Sequence, residues 1–154
     1  MKTLLLVTGV VATAVLSGCA TVPTASPEVE TTAKQFSAPA ANNAGIYVYR
    51  KDTIVGAALK KDVWINGECI GETAPGIFFY HEVAGGQEHK VSTESEFSPN
   101  DLMVKTEAGK LYFVEQYIKI GALAGGADVE QADEATGKAE VLKLKLAEKG
   151  NCSI

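Results

Sequence analysis

The densest group of metal-ligating side chains in the sequence is a nine-residue stretch with both histidines, His81 and His89, and two glutamates. It is not an H-E-x-x-H motif, which needs a helix, because two central glycines disfavour helical structure. On a hairpin, a two-residue Gly85-Gly86 loop would pair Glu82 with His89, whereas a three-residue loop would set His81 opposite His89. Only the second register joins two imidazoles, and its third ligand is unassigned. We therefore predict exposed hairpin residues and keep His81 and His89 as metal candidates.

The three cysteines divide into one near the N-terminus, Cys19, and two that lie far apart, Cys69 and Cys152. If lipid consumes the thiol of Cys19, an even pair remains, which favours a disulfide in an oxidising compartment. In the alternative, Cys69 is a buried free thiol and Cys152 lies in a frayed tail. The sequence has no C-x-x-C spacing, so we predict no redox-active role.

No catalytic signature accompanies these side chains. The sequence lacks G-x-S-x-G, G-x-G-x-x-G and P-loop motifs, and its histidines have no evident serine or cysteine partner. The net charge is −5, with 14 basic and 19 acidic residues and no basic cluster, which argues against binding of nucleic acid. We predict no catalytic residue, no enzymatic activity and no cofactor beyond covalent lipid.

The first eighteen residues have the layout of a removable secretory signal, with Lys2 followed by an apolar run and then small residues. The run is shorter than the roughly 20 apolar residues that a membrane-spanning helix needs. The sequence Leu16-Ser17-Gly18-Cys19 resembles a bacterial lipobox, which implies a diacylglycerol and an N-acyl chain such as palmitate on Cys19. An Asp directly after the lipidated cysteine resembles a signal for retention in the inner membrane. Residue 20 is Ala instead, so we predict sorting to the inner leaflet of the outer membrane. The alternative is an ordinary secretory signal with a chance cysteine.

The rest of the chain divides into a low-complexity segment, one domain and a short tail. Residues 19–43 are rich in Ala, Thr, Ser and Pro and have almost no large apolar side chain, which predicts a flexible, lipidated tether. The remaining length suits a single folded domain, which we place at residues 44–148, with a tail over 149–154.

Short runs of alternating β-branched and aromatic residues, separated by Gly, Pro and Asn, predict seven or eight strands. Asn66-Gly67 predicts a type I′ hairpin turn, and Gly85-Gly86 predicts a second hairpin. The Gly- and Ala-rich residues 121–127 predict a mobile loop before a strand that begins at Asp128. The expected fold is mostly β, an antiparallel sandwich or small barrel.

The C-terminal segment carries two conflicting patterns. Asp133 or Glu134 predicts the start of a helix of about three turns, although Gly137 weakens it. The leucines at 142, 144 and 146 instead alternate as in a strand. We predict a short C-terminal helix and leave the strand as the alternative.

Four segments together resemble the bacterial envelope family known as domain of unknown function 2846. The first two are an opening aromatic strand, Ile46–Arg50, and a hairpin with an Asn-Gly turn, Val63–Gly71. The other two are a stretch around a glycine turn, Tyr80–Val91, and an Ala-Gly-Lys turn that leads into a strand, Ala108–Val114. The resemblance covers residues 45 to 146 and implies a β-sandwich similar to PEGA-type and carboxypeptidase-regulatory-like domains. It implies no active site.

Tyr47, Tyr49, Trp64 and Tyr112 alternate with aliphatic residues, so their strands have apolar character on both faces. These aromatic side chains are candidates for a face that binds glycan, peptide or protein. In the alternative, which we favour, the final helix or the Gly-rich loop covers them. The predicted function is a membrane-anchored, periplasm-facing lipoprotein that acts as a non-catalytic binding or structural module for an envelope protein or glycan. The alternative is an envelope enzyme or an inhibitor of a hydrolase.

Overall fold

A computed structural model describes residues 18–95, 100–120, 125–150 and 152–153. Within these ranges the chain forms nine strands and two helices. In chain order the elements are α1 (Pro27–Ala33), β1 (Asn43–Arg50), β2 (Lys61–Ile65), β3 (Glu68–Thr73), β4 (Ile77–Ala84), β5 (Glu88–Thr93), β6 (Asn100–Lys105), β7 (Leu111–Lys119), β8 (Gly126–Ala132), α2 (Glu134–Val141) and β9 (Lys145–Leu146).

The strands form two sheets that face each other, which confirms the mostly β fold and, of the two predicted architectures, the sandwich. One sheet has the order β8-β7-β1-β4-β9 and the other has the order β3-β2-β5-β6. The predicted antiparallel pairing has two exceptions, because β1 pairs with β7, and β4 with β9, in parallel. Parallel neighbours need long connections, and the chain supplies them by passing through the other sheet or through α2.

The central strand β1 is buried on both faces. Ala44, Ile46 and Val48 point between the sheets into the main core, while Tyr47 and Tyr49 point to the opposite side. There α2 and the segment before β1 form a third layer over the five-stranded sheet. Two buried faces explain why this strand has an unbroken run of apolar residues.

The first predicted hairpin is confirmed. β2 and β3 pair in antiparallel fashion across Asn66 and Gly67, whose φ angles are +54° and +82°. Positive φ at both central positions defines a type I′ turn, which Asn-Gly tolerates best.

The second predicted hairpin, at Gly85-Gly86, is wrong because β4 and β5 belong to different sheets. Gly85 donates its N–H to the carbonyl of Asn42, and Gly86 donates to the carbonyl of Thr106. A Cβ on Gly85 would lie 2.5 Å from the backbone of Ala108, so this glycine permits a close approach between two connections. The glycines therefore mark a crossing between sheets, and the same is true of the turn from β6 to β7.

The C-terminal segment uses both predicted patterns in succession. α2 has eight residues rather than three turns, and the carboxylate of Asp133 accepts a hydrogen bond from the N–H of Thr136 as its N-cap. β9 follows, with Leu144 and Leu146 buried. β8 begins at Gly126, two residues before the predicted start, and residues 121–124 of the predicted mobile loop lie outside the described residues.

The prediction of a flexible tether over residues 19–43 is wrong. The segment contains α1, and Ala20 and Val22 pack against the main core, while Ala25, Ala33 and Phe36 pack against the aromatic cluster. Composition predicts disorder only where a segment has too little apolar surface to bury. Here small side chains fit close to the domain, so a modest apolar area suffices.

Candidate binding groove

A groove of about 610 Å³ lies on the outer side of the five-stranded sheet, between the N-terminal segment and the last residues of the chain. Val29 and Ala33 line one wall, residues 146–149 line the opposite wall, and Tyr47 and Tyr80 form part of the floor. Its volume lies in the range of ligand-binding pockets, and its lining is mainly apolar.

The groove exists because β9 is short. β9 pairs only with Ile77 and Phe78, so no described strand continues the sheet beside the rest of β4. An unpaired strand edge is a site where an extended polypeptide can add main-chain hydrogen bonds. The groove therefore combines an apolar lining with an open edge over Phe79 to Glu82.

Three hydrogen bonds hold the N-terminal wall in place. The hydroxyl of Tyr47 donates to the carbonyl of Ala33 at 2.7 Å, the N–H of Ala25 donates to the carbonyl of Leu146 at 2.9 Å, and the N–H of Leu146 donates to the carboxylate of Glu30 at 3.1 Å. Burial opposes ionisation of Glu30, but the hydrogen bonds from Lys34 and Leu146 outweigh it and lower the pKa. Burial raises the pKa of Tyr47 to about 12, so the hydroxyl stays a donor at neutral pH.

Phe36 anchors the same wall with its ring. It makes edge-to-face contacts with Tyr47 and Phe113, with ring centroids 5.5 and 6.0 Å apart. Tyr47 in turn stacks on Phe113 at 5.0 Å. Such pairs each add about 0.5–1.5 kcal/mol beyond area burial, so this aromatic cluster holds the segment on the sheet.

One end of the groove is polar. Glu82 accepts hydrogen bonds from the side chain of Asn43 at 2.9 Å, from the N–H of Ala40 at 3.1 Å and from the hydroxyl of Tyr80 at 3.0 Å. The hydrogen bond from Asn43 is the main cause that lowers the pKa of Glu82, and burial partly opposes it. This carboxylate is ionised at neutral pH and acts as a fixed acceptor.

A disulfide holds the C-terminal wall. The structure joins Cys69 of β3 to Cys152, with their Cα atoms 5.9 Å apart. The N–H and hydroxyl of Ser153 also donate to buried Asp62, each at 2.8 Å. Because 83 positions separate the two cysteines, the cross-link stabilises the fold by roughly 4–5 kcal/mol in the chain-entropy model. The residues before Cys152 are thereby kept beside the groove.

The structure does not bring the two histidines onto one site. Nζ of Lys149 donates to Nδ1 of His81 at 2.8 Å, whereas His89 bonds the carbonyl of Ala84 and the side chain of Asn66. Neither predicted hairpin register occurs, because the two histidines lie in different sheets. In the described ranges no three His, Cys, Asp or Glu side chains are grouped closely enough to hold a metal ion.

The predicted aromatic binding face is also wrong as a single surface. Tyr47 and Tyr49 are 2% and 0% exposed, beneath the layer that contains Val141 of α2, as in the alternative interpretation. Tyr112 packs against the core between the sheets, and Trp64 lies half-buried in the other sheet. Strand alternation shows that aromatic residues share a face, but it does not show what covers that face.

The predicted lipidation residue, Cys19, is exposed and outside the disulfide. The next residue, Ala20, donates its N–H to the carbonyl of Ala57 at 2.8 Å. Residues 1–17 of the predicted signal segment lie outside the described residues. Within the described part of the chain, neither helix has the length and hydropathy required to cross a bilayer.

Sequence reasoning missed the N-terminal wall, including Val29, Glu30 and Phe36. A local signal was present, because Ser26-Pro27 followed by two glutamates is typical of a helix start. Phe36 was the second signal, because disordered segments contain few aromatic residues. Both were outweighed by the overall composition of the segment.

Comparison with known proteins identifies relatives without an assigned activity. Residues 40–127 match the model of a family described as protein of unknown function (DUF2846). An uncharacterized protein from Haemophilus influenzae is 54% identical over 132 residues, which cover 86% of this chain and 77% of that protein. No solved structure matches the chain. The match covers β1 to β7 and more than half of the chain, and we conclude that the protein belongs to the DUF2846 family.

Proposed function

We propose that this protein is a lipid-anchored, non-catalytic binding module of the bacterial cell envelope. A diacylglycerol and an N-acyl chain on Cys19 hold it at the inner leaflet of the outer membrane, and it needs no other cofactor. The lipobox-like sequence before Cys19, its exposure and the Ala at position 20 support this anchor. Two or more acyl chains suffice for stable attachment without a spanning helix.

The observation that carries the binding role is the apolar groove with its open strand edge. A polypeptide partner fits both features, since its main chain can extend β4 while its apolar side chains fill the groove. Glycan hydroxyls need free polar groups, and the carboxylate of Glu82 already accepts three hydrogen bonds. We therefore propose an envelope protein as the partner.

The same arrangement favours binding over catalysis. Glu82 has a lowered pKa, and Tyr80 beside it has a pKa raised by burial and by that carboxylate, so neither titrates near neutral pH. General acid-base chemistry works best with a group whose pKa lies near the working pH. Turnover of an envelope substrate by the purified protein, abolished by Glu82→Gln, would support the alternative of an enzyme.

A matched pair of exposed positions tests the groove. Val29 on its rim and Met103 on the other sheet are 55% and 53% exposed, so substitutions at either leave the core intact. A photoreactive amino acid at position 29 of the lipidated protein should crosslink one envelope protein in cells. The same residue at position 103 should not crosslink that protein.

The partner is then purified and its affinity is measured. Val29→Asp should weaken binding by about tenfold or more, because the carboxylate must lose water in an apolar contact. Met103→Asp should leave the affinity unchanged. Equal crosslinking at both positions, or equal affinities of both Asp variants, would refute the groove as the binding site.

A further inference from the structure

Exposed apolar side chains gather at the end of the sandwich where the anchor begins. Ile54 and Val55 follow β1 and are 87% and 47% exposed, and Ile120 follows β7 and is 92% exposed. β1 and β7 run parallel, so the residues after them lie at the same end of the sheet. We call these three side chains the anchor-side patch.

Side-chain hydrogen bonds and packing fix the conformation of the loop after β1. Buried Arg50 donates to the carbonyls of Gly56 and Leu59 at 2.6 and 2.8 Å. Gly56, at φ +70°, also lies against the side chain of Ile118, where a Cβ would come within 2.6 Å. The guanidinium and the packing of Gly56 hold the loop, so Ile54 and Val55 are presented to solvent from a fixed position.

The anchor is tied to the same loop. The N–H of Ala20 donates to the carbonyl of Ala57, and Ala57 donates to the carbonyl of Ile54. Successive Cα atoms are about 3.8 Å apart, so Cys19 is one such step from a residue that is hydrogen-bonded to the loop. The acyl chains on Cys19 therefore start beside the anchor-side patch.

Three lysines around this end are ion-paired. Lysines at 51, 60 and 119 form ion pairs with Glu115, Glu72 and Asp128, at 2.7, 3.3 and 2.8 Å. A peripheral site for anionic lipid would instead present unpaired basic residues. These three lysines are thus engaged with carboxylates, and the exposed side chains of the patch itself are apolar and suit hydrocarbon.

We propose that the anchor-side patch inserts into the bilayer that holds the lipid on Cys19, and this inference rests on the proposed anchor. The domain then lies directly on the membrane instead of hanging from a tether. The lipid keeps the patch at high effective concentration near the bilayer, so three side chains suffice for contact. The polar end of the groove, near Asn43 at the other end of β1, then faces the periplasm about 20 Å from the bilayer.

The test uses the full lipidated protein with one added cysteine, labelled with a polarity-sensitive fluorophore. Ile54→Cys and Ile120→Cys probe the patch, and Lys110→Cys, exposed before β7 at the opposite end, is the control. Each protein is reconstituted in phosphatidylethanolamine and phosphatidylglycerol vesicles. Labels at 54 and 120 should shift to shorter emission wavelength, lose quenching by aqueous iodide and gain quenching by lipid-borne nitroxides. The label at 110 should behave as in water.

The outcomes separate this inference from the proposed anchor. Intact mass of the N-terminal peptide reports the lipid on Cys19. If the lipid is present and labels at 54 and 120 match the one at 110, the patch does not insert and the inference is wrong. Blue-shifted labels without nitroxide quenching would mean a protein contact, which also overturns it. An unmodified Cys19 would refute the anchor itself, and the inference with it.

Discussion

The substitution Tyr47→Phe removes the hydroxyl that holds α1 on the sheet and leaves the ring in place. The ring keeps its stack on Phe113 and its edge contact with Phe36, so only the hydrogen bond to the carbonyl of Ala33 is lost. Such a bond contributes about 1 kcal/mol to stability. If α1 undocks locally, that loss raises its open population roughly fivefold.

Hydrogen exchange followed by mass spectrometry measures this opening. The N–H groups of Glu30 and Lys34 bond within α1 and report directly on the segment. Tyr49→Phe is the matched control, because Tyr49 lies on the same face of β1 and its hydroxyl bonds Glu115 at 3.3 Å instead of α1. We expect about fivefold faster exchange in α1 for Tyr47→Phe and no change there for Tyr49→Phe.

Two results would refute this reasoning. Unchanged exchange in α1 of Tyr47→Phe would mean that the hydroxyl does not hold the wall. Equal acceleration in α1 by Tyr49→Phe would mean that the segment opens only when the whole domain unfolds. In that second case the groove would have a rigid wall, and binding would not require the segment to move.

Two further predictions concern the outer layer and His81 of β4. Gly137→Ala should lower the free energy of unfolding in urea by about 1–3 kcal/mol despite the better helix propensity of Ala, because its Cβ would lie 2.2 Å from the ring of Phe113. The control Ala139→Gly, at an exposed position of α2, should lower it by about 1 kcal/mol through helix propensity alone. A more stable Gly137→Ala variant would contradict the packing of Gly137 against Phe113. Burial and nearby Lys149 lower the pKa of His81, so the unfolded state binds its proton first and stability should fall as pH drops below about 6.5. The loss between pH 7 and 5.5 should be smaller in His81→Gln, and identical losses would exclude this cause.

Local sequence patterns predicted the features that depend on neighbouring residues. Asn66-Gly67 predicted its turn because φ > 0 at both positions is a local requirement. Asp133 predicted the start of α2 because an N-cap satisfies backbone groups within one turn. The alternation of β1 predicted a strand with two apolar faces.

Patterns that require a partner at a distance were less informative. Gly85-Gly86 reads as a hairpin turn, but a glycine pair fits equally well where two loops cross, and only the position of Ala108 distinguishes the two. The two histidines were wrongly placed on one hairpin for the same reason. The sheet that each strand joins depends on pairing with strands far away in the sequence.

Local composition and short motifs were enough to predict the mostly β class, the family resemblance and the residue expected to carry lipid. Only the folded chain shows that residues 20–36 pack on the domain, that Tyr47 lies under a third layer and that a groove remains beside short β9. Small side chains bury enough apolar area to hold a segment only when they pack against an existing apolar surface. That surface is assembled from strands far apart in the chain, so no local pattern in the N-terminal segment could predict it.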